Sequence, residues 1–173
     1  MSDFVPRLNA NGIKYAKYWY DSNPFYQSGY GMPNCTAYAW GRFWECGGSS
    51  DDYRPRLNLS DASNWYGYND GYSRGTTPQL GAVACWDGYG SGHVAIVEEI
   101  GASYIVISES AWESFFWRLT TLPLNADYGV GWTFQGYIYN PYSGGQITPG
   151  GGGSLGIPYI FKRRLDKKKG LII

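Results

Sequence analysis

The chain predicts an α+β fold in which N-terminal helices pack on a C-terminal antiparallel sheet of about five or six strands. Two observations carry this. Before residue 47 the apolar residues recur at helical spacing, whereas beyond Pro78 they fall into short runs of strand length separated by Gly, Asp, Ser or Pro. Helices followed by consecutive strands argue against a parallel α/β arrangement, in which the two alternate.

Taken in order, residues 12–20 follow Asn11, a residue type suited to capping, and read as a short helix. A loop rich in Asn, Pro, Ser and Gly spans 21–33. Cys35, Tyr38, Ala39, Arg42, Phe43 and Cys46 then repeat at three- and four-residue intervals, a helical stripe that Gly47-Gly48 ends. Residues 60–66 read as a short capped helix between loops. Strands are expected over 82–86, 93–100, 104–109, 115–121 and 134–139. The stretch 143–156, dominated by Gly, cannot build a core and reads as a flexible linker. The organisation is therefore a globular domain over 1–142, the linker, and an apolar-basic tail over 157–173. The tail holds Lys162, Arg163, Arg164, Lys167, Lys168 and Lys169, and reads either as a solvated segment or as a docking peptide. No internal repeat is evident.

Composition narrows the function. The net charge is zero and only 16% of residues are charged, which excludes a broad nucleic-acid footprint. No apolar run approaches membrane-spanning length. Residues 1–7 lack the basic-then-apolar pattern of an export signal, so the chain is expected to be made in a reducing cytoplasm. Three cysteines with no CxxC and one histidine argue against a disulfide framework and against a zinc site. The 17 Tyr, 8 Trp and 7 Phe have two readings. Most such rings belong to a core; some can line a groove for a polar polymer, since they present a flat apolar body with a polar tip.

Cys35 is placed at the start of the helical stripe, behind Pro33 and Asn34. A helix N-terminus favours a thiolate through its dipole and free N–H groups, and those groups can also receive an oxyanion. Cys46 and Cys85 read as small buried hydrophobes. His93, the one histidine, follows the glycine-rich 88–92 and opens a strand. A hairpin centred on Gly101 would set His93 directly opposite Glu109, where a carboxylate can orient an imidazole and stabilise its cation. A slip of one residue would send the two to opposite faces. Glu98 and Glu99, near the turn, are expected in solvent.

Asn34-Cys35-Thr36-Ala37-Tyr38-Ala39-Trp40-Gly41-Arg42, Gly81-Ala82-Val83-Ala84-Cys85-Trp86 and Gly92-His93-Val94-Ala95-Ile96-Val97 together resemble the CHAP family. These are the cysteine- and histidine-dependent amidohydrolases and peptidases that cleave bacterial peptidoglycan. The resemblance covers roughly residues 10–140 and extends, around Trp65-Tyr66-Gly67-Tyr68, to phage lytic enzymes against Gram-positive hosts. It implies a papain-like fold, with Cys35 as nucleophile, His93 as base and acid, and Glu109 orienting His93. The family often carries an asparagine two residues beyond the acid, where this chain has Ala111. Relatives that hold calcium do so in an acidic loop ahead of the nucleophile. The corresponding 20–24 carries only Asp21, so no metal and no cofactor are expected.

The resulting expectation is a peptidoglycan hydrolase working through a thioester, either amidase or endopeptidase, with both left open. Asn34 is a candidate oxyanion donor, and Trp40, Trp65, Trp86 and Trp112 are candidate groove walls. The partners expected are peptidoglycan and, through 157–173, other virion or tail proteins. The protein would act on the wall as a free endolysin or a virion-borne lysin. Two rivals stand beside this reading: a structural tail or wall-binding module with a vestigial site, and a cytosolic cysteine protease.

Overall fold

The computed structural model describes residues 4–47 and 51–141. Two α-helices, α1 (Pro24–Gln27) and α2 (Cys35–Cys46), precede six strands. These are β1 (Arg74–Gly75), β2 (Val83–Gly88), β3 (His93–Ile100), β4 (Tyr104–Glu109), β5 (Arg118–Pro123) and β6 (Trp132–Ile138). They form one antiparallel sheet in the order β1-β6-β2-β3-β4-β5. The α+β class expected from the sequence is the class observed. The 143–156 linker and the 157–173 tail lie outside the described residues.

Alternation along the central strands builds two apolar layers. Val83, Cys85, Val94 and Ile96 face α2 and join Ala39, Trp40, Phe43 and Trp44. Ala84, Trp86, Ala95 and Val97 face the other way, with Ile105, Ile107 and Tyr137. Residues two apart in a strand share a face, so both layers follow from the period of the sheet. Being covered on both sides, β3 has no polar alternation until its last residues.

The N-terminal segment is tied to α2 by a close approach. Residues 12–20 form not one helix but two 3-10 turns, Ile13–Tyr15 and Lys17–Trp19. Gly12, left-handed at φ 79°, stands before the first turn, and Asn11 makes no cap. The buried Trp19 donates its indole N–H to the Tyr38 carbonyl at 3.1 Å. A Cβ at Gly41 would come within 2.5 Å of that indole, so α2 and the Trp19 ring meet only because position 41 has no side chain.

Smaller differences have local causes. Helix α1 falls inside the segment read as loop, because Asn23 caps it and Pro24 opens it. Residues 60–66 shrink to a 3-10 turn, Ala62–Asn64, for which Asp61 supplies no side-chain cap. The expected strand over 115–121 begins instead at Arg118, and β1 adds a short edge pair with no sequence signal.

Glu98 is not in solvent. It is 1% exposed and receives two 2.8 Å bonds from the Arg42 guanidinium, through Nε and Nη2. Ser108 donates to its Oε1 at 2.6 Å and the Arg7 N–H to its Oε2 at 2.8 Å. The contact locks the N-terminal segment, α2 and β3 together.

Candidate active site

Helix α2 is started by Asn34, whose extended backbone precedes the first turn. Its Oδ1 accepts from the Thr36 N–H at 2.9 Å and from the Thr36 hydroxyl at 2.8 Å, and its Nδ2 donates to the Tyr30 carbonyl. Asn34 therefore acts first as a cap. Asn23 repeats the device for α1 and sends its own Nδ2 to the carbonyls of Tyr18 and Ala37. That pins the opening turn of α2, and with it Cys35, the first helical residue, which stays partly exposed.

His93 is 6% exposed at the start of β3, paired with Trp86. Gly92 before it has φ 68°, and a Cβ there would lie 2.4 Å from the Ser63 nitrogen. Only glycine lets the 60–63 lip close against the strand that carries the imidazole. The ring is walled by Tyr128 at 4.8 Å, Trp132 at 6.0 Å and Trp86 at 6.1 Å between centroids.

The β3–β4 register differs from the simple hairpin and reaches the same face by another route. Ile100 pairs with Ile105 and Glu99 with Val106, but a bulge between Val97 and Glu99 then shifts the ladder to Val97–Ile107 and Ile96–Ser108. Had the turn-side register continued, Glu109 would point away from His93. The extra residue at Glu98 reverses that parity and brings Glu109 diagonally beside His93, on its face. The carboxylate Oε2 lies 2.6 Å from His93 Nε2.

Glu109 is fully buried and heavily donated to. Arg118, directly across the ladder, gives its Oε1 a 2.8 Å bond from Nε. Thr120, on the same face of β5, donates to Oε1 as well, and the Tyr128 hydroxyl donates to Oε2 at 2.6 Å. With Nε2 committed to Glu109, Nδ1 is the ring nitrogen left to serve Cys35, which lines the same cleft.

Electrostatics follow the contacts. Burial pushes the imidazole down, but the neighbouring Cys35 side chain and the Glu109 carboxylate outweigh it and raise it to about 9. Burial would raise Glu109, yet the His93 hydrogen bond and charge, with the Thr120 and Tyr128 hydroxyls, bring it down to about 2. The pair thus favours imidazolium against carboxylate at neutral pH. Burial pushes Cys46 up to about 12, outweighing the pull of the Arg42 charge.

Cys35 and His93 open on a cleft of about 720 Å³, lined also by Tyr30, Leu59, Asp61, Phe115, Trp112 and Trp132. Of the four tryptophans expected as groove walls, only Trp112 is exposed and lines it, tilted against Tyr30 at 5.8 Å. Trp40, Trp65 and Trp86 are 1%, 0% and 0% exposed and belong to the core, out of reach of any substrate. Trp86 instead packs behind His93 and donates its indole N–H to the Ala126 carbonyl. Ala111 lines the cleft and offers no polar side chain. Arg118, Thr120, Tyr128 and Trp132 were not singled out in the sequence. Arg118 and Thr120 show a polar i, i+2 pattern on a strand, but Tyr128 comes from a loop, where no periodicity marks it.

A helix-borne thiol facing an imidazole on an antiparallel sheet, with a carboxylate behind the ring, is a layout suited to acyl transfer. The chain belongs to the CHAP domain family, whose model matches residues 25–111, half of the chain. The match runs from α1 through β4 and ends two residues beyond Glu109. Family membership places the chain among amidase- or peptidase-type cell-wall hydrolases. No solved structure matches it.

Proposed function

We propose that the chain hydrolyses an amide bond of peptidoglycan through a thioester on Cys35. The observation that supports this most is that Cys35 and His93 line one cleft, with the Glu109 carboxylate 2.6 Å behind the imidazole. The Cys35 sulfur attacks the amide carbonyl, and the C=O electron pair moves to oxygen. The N–H groups of the first turn of α2 face no intrahelical acceptor and can receive that charge. The Thr36 N–H is already held by Asn34, which leaves those of Cys35 and Ala37 as donors.

As the tetrahedral species collapses, the C–N bond breaks and His93 gives its proton to the leaving amine. Neutral His93 then takes a proton from water, whose oxygen attacks the thioester. The carboxylic product leaves and the thiolate–imidazolium pair returns. Glu109 remains anionic throughout.

Cys35→Ala is expected to abolish lysis of purified wall with the fold unchanged by circular dichroism; undiminished lysis would refute the mechanism. Mass spectrometry of the new termini assigns the bond: free muramic lactyl groups for an amidase, new peptide ends for an endopeptidase.

The finer reading is a phage lysin, free or virion-borne, with residues 1–142 as the catalytic unit, 143–156 as linker and 157–173 as a docking peptide. It rests on the sequence resemblance and on the apolar-basic pattern of the tail. Deleting 157–173 is expected to spare wall hydrolysis and abolish association with virion particles; particle association that survives the deletion would refute docking.

A further inference from the structure

Glu109 lies 2.6 Å from an imidazole that must keep its proton until a leaving amine is ready. A bare buried carboxylate at that distance would compete for the proton, since burial alone raises its basicity. Four groups bear on it: His93 from β3, Arg118 and Thr120 from β5, and Tyr128 from the loop between β5 and β6. His93 is faced by Cys35 from α2, by Glu109, and by the rings of Tyr128, Trp86 and Trp132.

Tyr128 differs from the other donors because it touches both members of the pair. Its hydroxyl hydrogen goes to Glu109 Oε2, the oxygen His93 uses, while its ring lies tilted against the imidazole at 4.8 Å between centroids. Its oxygen in turn accepts from Arg118 Nη2 at 2.5 Å, and Arg118 Nε reaches Glu109 Oε1, so the three side chains close a ring of hydrogen bonds. The Arg118 guanidinium is itself seated over Phe115 at 3.9 Å. The loop is anchored on either side of Tyr128: Ala126 accepts from the Trp86 indole, and the Asp127 carboxylate accepts from the Phe134 N–H. Burial and the neighbouring carboxylate raise the Tyr128 phenol, so it stays a donor across the working range.

Resting on the hydrolase reading above, we propose that Tyr128, backed by Arg118 and Thr120, is a positioning residue that keeps Glu109 a weak base, so that the proton between the two rests on the His93 ring and can be given up to the leaving amine. All three lie beyond the segment that matches the family. With Ala111 offering no polar group, these side chains supply the polar support behind the pair.

The test uses the full chain and its single histidine, which NMR reads without ambiguity. In Tyr128→Phe the ring remains and one donor is lost, so Glu109 becomes a stronger partner for the imidazolium. His93 should then titrate higher than in wild type by about half a pH unit. On a soluble wall fragment kcat should fall about tenfold with KM unchanged, because the lost contact acts on proton transfer rather than binding. Thr120→Val, which removes a donor from the other oxygen without touching His93, should move the titration in the same direction. A His93 titration unmoved or lowered in both variants overturns the proposal. The titration needs no substrate, so it decides the role of Tyr128 even if the wild type cleaves no wall fragment, a result that would count against the hydrolase reading alone.

Discussion

Glu98 and Glu109 are buried to the same degree, on opposite faces of the β3–β4 pair, and each is matched to a cation. Their partners separate them. Glu98 meets Arg42, which never gives up its proton, and its other ligands are a serine hydroxyl and a backbone N–H in the interior. Glu109 meets His93, whose charge can change at working pH and whose far side opens on a cleft beside a thiol. The same carboxylate chemistry thus clamps the fold on one face and serves a site on the other. A buried ion pair alone does not mark function; a titratable partner with access to a cleft does.

The comparison is broken most sharply at Glu109. Glu109→Gln should lower kcat by about 10³-fold or more, because the imidazole loses its counter-charge and its fixed orientation. Its urea unfolding curve should move far less than that of a Glu98 variant. Glu98→Ala leaves the Arg42 guanidinium buried without its main partner and should cost about 3–5 kcal/mol in urea unfolding. The protein that remains folded should keep its kcat. Loss of catalysis without loss of fold at Glu98 would reverse the assignment.

Stability against pH sharpens the same contrast. Glu109 is lowered to about 2, so its contribution is present above about 4.5 and is lost as pH falls from there toward 2. His93 is raised to about 9, so its contribution is present below about 6.5 and is lost as pH rises through 9. Both shifts describe one pair and are not to be added. Unfolding free energies should peak between about pH 4.5 and 6.5 and fall on either side. In Glu109→Gln the acid-side fall should be shallower.

The smallest effects concern the aromatic residues. Trp112→Ala should raise KM several-fold by removing about 1 kcal/mol of ring contact at the cleft edge. Trp40→Phe should leave KM unchanged and lower only stability, because Trp40 is enclosed by the core.

Much of this is legible in the sequence. The stripe beginning at Cys35 marks a helix whose first turn holds a thiol, and the lone His93 behind glycines marks a strand start. Glu109 is legible through parity alone: the simple hairpin and the bulged one differ by an even step, so both put it on the face of His93. The bulge itself leaves no trace in the pattern, and for that reason Glu98 reads as solvated. Composition counts rings and says nothing of which are enclosed, so Trp40, Trp65 and Trp86 read as groove walls while Trp132 and Tyr128 pass unnoticed. Loop residues such as Tyr128 reach the site only through tertiary anchoring, which no local periodicity encodes.

The central claim, that Cys35 is the nucleophile of this site, is tested most directly by limited alkylation. The full chain is treated with less than one equivalent of iodoacetamide at neutral pH, peptide-mapped, and assayed for wall lysis. Label confined to Cys35, with lysis lost in proportion to labelling, is the predicted result. Label on Cys46 or Cys85 instead, or labelling of Cys35 with no matching loss of lysis, would contradict it.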